Sequence, residues 1–345
     1  MTGTPSETVD IDSARVLEWL SDTVEGFEPK GTLTRLTGGQ SNPTYRLSTP
    51  GGDYAVRRKP FGKLLGSAHA VDREYRLIQA LHPTGFPVPR PIALCLDESV
   101  AGSVFYVMEF KHGRSFWNGQ LPDMSPPERT AIYNQMVDQL ARLHAIDPVA
   151  VGLEDFGKAG NYFQRQVDRW TRQYRASQTD DIPVIEQLID FLSATVPPQT
   201  RSSIIHGDYR IDNLIFDPTT PEVSGIIDWE LSTLGDPLAD FAYLAMNWSM
   251  PAGQGAGLEG VDHETTGIPS LSAVIERYCR LTGRDSVPDL EWYFAYNLFR
   301  LMGIVQGIKK RLLDGNASSP DAASAAARVV PLAEAAWSHA QKAGA

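Results

Sequence analysis

His206-Gly207-Asp208-Tyr209-Arg210-Ile211-Asp212-Asn213, followed 15 residues after its Asn by Ile227-Asp228-Trp229, is the stretch that decides how this chain is read. An Asp and an Asn lie five residues apart. A second Asp ends the apolar run Val223 to Ile227, which only Ser224-Gly225 interrupts. One carboxylate can orient and deprotonate a hydroxyl, while the Asn and the second carboxylate offer hard oxygens to a magnesium ion. His-Gly-Asp alone is equally an ordinary turn with a capping Asp. It is the register of all three residues that points to ATP-dependent phosphoryl transfer. Asp208 is then the candidate catalytic base, and Asn213 and Asp228 are the candidate ligands of Mg²⁺ bridging the ATP phosphates. His206 reads as a structural support of the loop rather than as a base.

Composition sets bounds around that motif. The chain has 345 residues, enough for a large core split between two lobes. Its formal net charge of −11 lacks the basic field that nucleic-acid binding needs. Acidity suits a cationic substrate, but it is equally that of many cytosolic enzymes. Cys95 and Cys279 form no metal or redox motif and read as free thiols in a reducing compartment. The first residues, MTGTPSETVDID, have no basic or apolar leader character, and no apolar run approaches the ~20 residues of a membrane span. The expectation is a cytoplasmic protein with neither membrane nor nucleic acid as partner. Oligomeric state is not legible.

Working outward, Ile11 to Val24 has helical spacing, with Asp12 or Ser13 as N-cap. Residues 31 to 110 alternate like strands, broken by Gly51-Gly52 and by a helix over 68 to 81. After Phe110 the pattern turns helical: 126 to 146, 161 to 175, 183 to 195, 237 to 248, 271 to 282, 289 to 313 and one helix over 322 to 342. Residues 250 to 269 read as a surface loop. The expected division is a nucleotide-binding lobe over 1–110 and a catalytic, substrate-binding lobe over 111–345.

Four segments carry a resemblance: Leu36-Thr37-Gly38-Gly39-Gln40-Ser41-Asn42, Ala68 to Arg76, Phe105-Tyr106-Val107-Met108-Glu109-Phe110, and the His206 stretch. Together, in this order, they resemble the aminoglycoside phosphotransferase (choline kinase-like) family. The nearer likeness is to the kinase-like domain fused to acyl-CoA dehydrogenases and its free-standing bacterial relatives. The resemblance covers about residues 30 to 310. It implies an α+β, bilobal, protein-kinase-like fold with a small antiparallel β-rich N-lobe and a larger helical C-lobe. It implies ATP and Mg²⁺ as cofactors.

Gly38 and Gly39, with Gln40, Ser41 and Asn42, lie between two predicted strands, where backbone amides can approach phosphates, though such a pair is as often a plain hairpin. On the next strand Ala55 and Arg57 share a face by alternation. They resemble the Ala-x-Lys of the kinase phosphate-binding strand, with Arg57 at the Lys position and Glu74 as its helix partner. Arg58 and Lys59 are rivals for that role. Met108, Glu109 and Phe110 resemble the lobe linker whose backbone binds adenine. Arg210 stands where protein kinases place a Lys near the transferred phosphate; a salt bridge to Asp212 is the competing reading. Asp240 resembles a buried scaffold residue, and Asp236 before Pro237 is a natural N-cap.

Only seven steps separate Asp228 from Gly235. A protein kinase carries a long activation segment there. The expected substrate is therefore a small molecule with a hydroxyl. Glu230, Asp236, Glu259, Asp262 and Glu264 are candidates to meet a polycation, or simply a solvated acidic surface. Phe163, Val167, Trp170 and Tyr174 form a core-facing stripe. Arg165, Arg169 and Arg172 form a second stripe, either solvent-facing or a dock for an anion such as a coenzyme A thioester. A hydroxyacyl thioester or other hydroxylated metabolite is the preferred substrate. A catalytically silent nucleotide-binding module and a protein kinase are the alternatives, and ATP versus GTP stays open.

Overall fold

The computed structural model describes residues 10–36, 42–61, 70–158, 160–253, 255–315 and 322–345, and the backbone of 5–6. The chain runs β1 (Pro5–Ser6), α1 (Ser13–Thr23), β2 (Thr32–Leu36), β3 (Thr44–Thr49), β4 (Gly52–Arg58), α2 (Val71–Leu81), β5 (Pro91–Cys95), α3 (Glu98–Ala101), β6 (Phe105–Glu109) and α4 (Pro126–Ala145). It continues through α5 (Tyr162–Ser177), α6 (Pro183–Ala194), β7 (Ser203–Ile205), β8 (Leu214–Phe216), β9 (Val223–Ile226), β10 (Thr233–Gly235), α7 (Leu238–Ala245) and α8 (His263–Thr266). It closes with α9 (Leu271–Thr282), α10 (Leu290–Leu313), α11 (Ala322–Ala326) and α12 (Val329–Lys342).

Two compact units result. One comprises Met1–Glu154, His206–Ser232 and Asp262–Ile268, the other Asp155–Ile205, Thr233–Val261 and Pro269–Ala345. The catalytic-loop motif thus packs in the same unit as the sheet, although 96 residues of chain separate it from β6.

In the first unit six strands form one antiparallel sheet in the order β1-β2-β3-β4-β6-β5. Strict alternation gives it two buried faces. Leu33, Tyr45, Leu47, Val56, Cys95, Phe105 and Val107 pack against Val16, Leu17 and Leu20 of α1. Asp12 starts that helix, its carboxylate accepting from the backbone N–H of Ala14 at 3.0 Å and of Arg15 at 3.2 Å. Ala55 and Arg57 belong to the opposite parity. β8 and β9 make a short antiparallel hairpin. The chain leaving β6 crosses it closely: Arg114 and Phe216 exchange backbone hydrogen bonds at 2.9 and 2.8 Å. A Cβ on Gly113 would stand 2.2 Å from the Phe216 carbonyl oxygen, so only glycine lets the two strands meet there.

The second unit is helical, apart from the β7–β10 pair. α5 presents Phe163, Val167, Trp170 and Tyr174 inward, as their spacing predicts. The Phe163 ring meets Trp292, Tyr293 and Tyr296 of α10 at centroid distances of 5.4, 5.0 and 5.2 Å.

An antiparallel N-terminal sheet and a helical remainder are as expected. One helix is not: 322 to 342 is broken into α11 and α12. Pro331 cannot donate to the Ala327 carbonyl and its ring would collide with it, so a turn intervenes. The stretch 250 to 269 also holds a one-turn helix, α8, which Asp262 caps.

Candidate active site

Alternation along β4 settles which way its two arginines point. Arg57 Nε lies 2.9 Å from Glu74 Oε2 on α2, and Arg57 Nη2 donates to Asp228 Oδ1 at 2.6 Å. Its neighbour Arg58 faces the other way and is buried among Asp10, the Tyr45 hydroxyl (3.0 Å) and the Lys59 carbonyl (2.9 Å). Arg58 is therefore spent on fastening the N-terminal segment to the sheet. Lys59 follows the end of β4, its backbone N–H bonded to the Val104 carbonyl at 2.9 Å.

Arg57 and Glu74 are both nearly inaccessible to solvent, at 9% and 3% exposure. Burial pushes the Arg57 guanidinium down, but the carboxylates of Glu74 and Asp228 outweigh it and keep the cation protonated. Burial pushes the Glu74 carboxyl up, and the nearby Arg57 opposes this only in part. Glu74 has a second task. Its Oε1 accepts the backbone N–H of Trp229 at 3.3 Å, tying α2 to the turn that carries Asp228. Trp229 is itself buried, its ring 4.5 Å from His206 and 6.1 Å from Phe86, and its Nε1 donates to the Ile226 carbonyl at 2.9 Å. An indole occupies the position after the Asp because this turn sits over core.

The catalytic-loop candidate is braced from inside. His206 is wholly buried. The Asp208 backbone N–H can only donate, and it meets His206 Nδ1 at 3.2 Å, so the ring proton sits on Nε2 and is given to the Ile227 carbonyl at 2.9 Å. One imidazole thus links the loop of Asp208 to the strand end preceding Asp228, the supporting role its position suggested. Gly207 has φ +83, and a Cβ there would lie 2.6 Å from the Leu231 carbonyl oxygen. Glycine is required on both counts. The Tyr209 hydroxyl anchors the same loop to the Met136 carbonyl of α4 at 2.7 Å.

Asp208 and Asn213 are brought into direct contact. Asn213 Nδ2 donates to the Asp208 backbone carbonyl at 2.9 Å and to its carboxylate Oδ2 at 3.2 Å. This fixes the amide so that its other atom, Oδ1, is the one left to serve as a ligand. Backbone pairing of Ile227 N–H with the Asn213 carbonyl at 3.0 Å sets the β9 end beside it. Asp228 itself takes the left-handed conformation, φ 68 and ψ 58, which turns the chain sharply as the strand ends. Among the described residues no cluster of three or more His, Cys, Asp or Glu suits a metal. A magnesium ion held with a nucleotide needs no such cage, because one or two protein oxygens suffice with phosphates and water. Asn213 Oδ1 and the Asp228 carboxylate fit that requirement.

Other expectations meet mixed geometry. Gly38, Gly39, Gln40 and Ser41 lie outside the described residues; Asn42 lies within them and is buried. Met108 is on β6, paired with Ala55, and the backbone N–H groups of Glu109 and Phe110 are already bonded to the carbonyls of Arg90 (2.8 Å) and Asp53 (3.2 Å). Those two donors are not open to a base edge, which narrows the linker expectation. Arg210 forms the competing ion pair. Its Nε donates to Asp212 Oδ1 at 2.9 Å and its Nη2 to Oδ2. Asp240 is buried in α7 at 1% exposure, and the Asp236 carboxylate accepts from the Leu238 N–H at 2.9 Å, capping that helix. Of the arginine stripe, Arg165 turns back to the carbonyls of Gly160 and Lys158, and Arg169 lies over the Trp170 ring.

Glu230 is the residue the sequence reading misplaced. Counted there among acids that either meet a polycation or form a solvated acidic surface, it instead lies 3.4 Å from Arg57 Nη2 and accepts from Asn42 Nδ2 at 3.2 Å. Its spacing two residues after Asp228 carried no signal of this, because both partners lie more than 170 residues away in the chain.

Comparison with known proteins agrees with this geometry. The chain is 42% identical over 314 residues to acyl-CoA dehydrogenase family member 10 of Mus musculus, and 41% identical over 329 residues to acyl-CoA dehydrogenase family member 11 of Homo sapiens. These matches cover 90% and 94% of this chain but only 29% and 42% of those much longer relatives. A crystal structure from Ralstonia eutropha JMP134, provisionally named an aminoglycoside phosphotransferase, superposes with a TM-score of 0.88 at 46% identity, covering 96% of this chain and 99% of that one. Aminoglycoside phosphotransferase APH(4)-Ia, in a ternary complex with ADP and hygromycin B, shares the fold at a TM-score of 0.58 and 15% identity, over 93% of this chain and 98% of that one. The profile of the phosphotransferase enzyme family matches residues 32–285, which hold every residue of the site described above, and the chain belongs to that family.

Proposed function

We propose that this phosphotransferase is an ATP-dependent small-molecule kinase that moves the γ-phosphate of Mg-ATP to a substrate hydroxyl. The observation that carries the reading is the joining of Asp208 to Asn213 and of Arg57 to Glu74 and Asp228 within one compact unit. Asp208 orients the hydroxyl and takes its proton as the oxygen attacks phosphorus. Asn213 and Asp228 would hold a magnesium ion, whose charge would offset that of the phosphates. Arg57 leaves the Asp228 carboxylate for the phosphate oxygens while Glu74 keeps its Nε in place. Covering the phosphates is the role we assign to Gly38 to Asn42, and receiving the base the role we assign to the chain around Met108 to Phe110. Arg210, held by Asp212, has at most a supporting electrostatic part.

A hydroxylated metabolite, and among these a hydroxyacyl thioester, is the substrate we favour. Support comes from the names of the relatives, which are acyl-CoA dehydrogenases at about 40% identity. Polycation recognition loses support because Glu230, Asp236 and Asp262 have structural partners. The brevity of the segment between Asp228 and Gly235 disfavours a peptide substrate. Two buried free thiols favour the cytoplasm.

The test is phosphate transfer from Mg-ATP to a panel of hydroxyacyl thioesters, with aminoglycosides and peptides alongside. Turnover on a thioester that Asp208→Asn abolishes supports the reading. Binding of Mg-ATP without transfer to any hydroxyl favours the silent module. Full turnover in Asp208→Asn would refute the mechanism.

A further inference from the structure

One carboxylate near Arg57, that of Glu230, has no part in the proposed phosphoryl transfer. Glu230 Oε2 accepts from Asn42 Nδ2 at 3.2 Å and from Arg57 Nη2 at 3.4 Å. Asn42 is the last residue of Gly38-Gly39-Gln40-Ser41-Asn42 and is buried, at 1% exposure. Its amide sits two residues ahead of β3. The same oxygen touches the one guanidinium that β4 aims at Asp228, and it is carried by the turn that follows Asp228. Three segments distant in sequence converge on a single acceptor.

Geometry also ranks the holds on Arg57. Nε is fixed by Glu74 at 2.9 Å, while Nη2 is shared between Asp228 at 2.6 Å and Glu230 at 3.4 Å. Asp228 is the nearer, but it is also the carboxylate that the proposed chemistry requires for another purpose. Once Asp228 is engaged elsewhere, Glu230 is the partner that still restrains Nη2 from the front. A charge-assisted acceptor shared by two buried donors fixes those donors relative to each other.

We infer that Glu230 is a positioning residue for the nucleotide: it clasps Asn42 to Arg57, so that the exit of the Gly-rich segment and the phosphate-facing guanidinium are placed as one body. The clasp acts on nucleotide affinity and not on deprotonation of the hydroxyl. It rests on the kinase reading above, yet it can fail separately.

The experiment is calorimetric titration of the full chain with AMP-PNP, with and without Mg²⁺, for wild type, Asn42→Ala, Glu230→Ala, the double variant and Glu230→Gln. Loss of one buried hydrogen bond to a charged acceptor corresponds to a weakening of about tenfold. Glu230→Ala is expected to weaken binding by about tenfold or more, and Asn42→Ala by somewhat less. The double variant is expected to bind no more weakly than Glu230→Ala, because both single changes open the same clasp. Glu230→Gln, whose amide oxygen still accepts from Asn42, recovers part of the loss. The ratios hold with and without Mg²⁺. Multiplying effects in the double variant overturn the clasp. So does a loss confined to Glu230→Ala and to solutions containing Mg²⁺, which would make Glu230 a metal ligand instead. Should Glu230→Ala lose its folded far-ultraviolet spectrum, Glu230→Gln decides: a severalfold loss supports the clasp, and wild-type affinity overturns it. Failure of wild type to bind AMP-PNP under either condition refutes the kinase reading itself, a result distinct from all of these.

Discussion

The Arg57–Glu74 pair of the first unit and the Phe163 cluster of the second are both buried, and they obey different physics. Around Arg57 the groups are charged: Glu74, buried like Arg57 itself, at 2.9 Å, and the half-buried Asp228 at 2.6 Å and Glu230 at 3.4 Å, and the buried pair is tolerable only because its partners are present. Around Phe163 the neighbours are Trp292, Tyr293 and Tyr296, and no formal charge is involved in those contacts. The first arrangement is stabilised by pairing and fails when one partner goes. The second is stabilised by area removed from water and declines gradually with volume. A site that must release one contact to receive a phosphate is suited to the first; a scaffold is suited to the second.

That contrast can be broken at several points. Asp208→Asn keeps the volume and the Asn213 contact but removes the proton acceptor, and it is expected to lower transfer by about a thousandfold with little change in melting temperature. Steady-state turnover and differential scanning calorimetry on the same samples check both halves. Glu74→Ala leaves the Arg57 charge buried beside an empty space. A loss of about 3–5 kcal/mol in urea unfolding of the first unit is expected, with Mg-AMP-PNP affinity falling as well. A melting curve unmoved by Glu74→Ala would show the pair to be solvated and the comparison false. Phe163→Leu keeps an apolar filler and is expected to cost about 1–2 kcal/mol, leaving nucleotide affinity unaltered in titration calorimetry. Arg210→Ala is the mildest. Because Asp212 already engages the guanidinium, kcat is expected to fall by about tenfold or less. A loss equal to that of Asp208→Asn would restore Arg210 to the chemistry proper.

How much was legible in the chain follows from the range of each interaction. Asp208 and Asn213 are five residues apart, and a single short turn joins them, so their pairing could be read directly. Arg57 was separable from Arg58 by strand alternation, and its partner Glu74 by the helix that follows. The Asp12 and Asp236 caps needed only one turn of chain. The long helix at the C-terminus was misread because composition favours helix throughout, and the steric effect of Pro331 was passed over.

Glu230 was misread for a different reason. A carboxylate two residues after Asp228 has no local pattern that says whether it faces water or the guanidinium of Arg57. Trp229 is similar. Its burial against His206 and Phe86 explains why an indole stands there, and neither contact is near in sequence. The linker donors of Glu109 and Phe110 belong with these, since Arg90 and Asp53 take them only once the sheet has formed.

Spacing and alternation in the chain singled out Asp208, Asn213 and Asp228 as the candidate set for phosphoryl transfer and gave the faces of β4, because these depend on backbone periods of two residues or on single turns. Tertiary structure alone decided that Asp228 and Glu230 join Glu74 at Arg57, and that Glu230 faces inward to Asn42. Each of these requires chain segments as many as 188 residues apart to meet, as Asn42 and Glu230 do, and a distance in space of that kind has no period in the sequence to announce it.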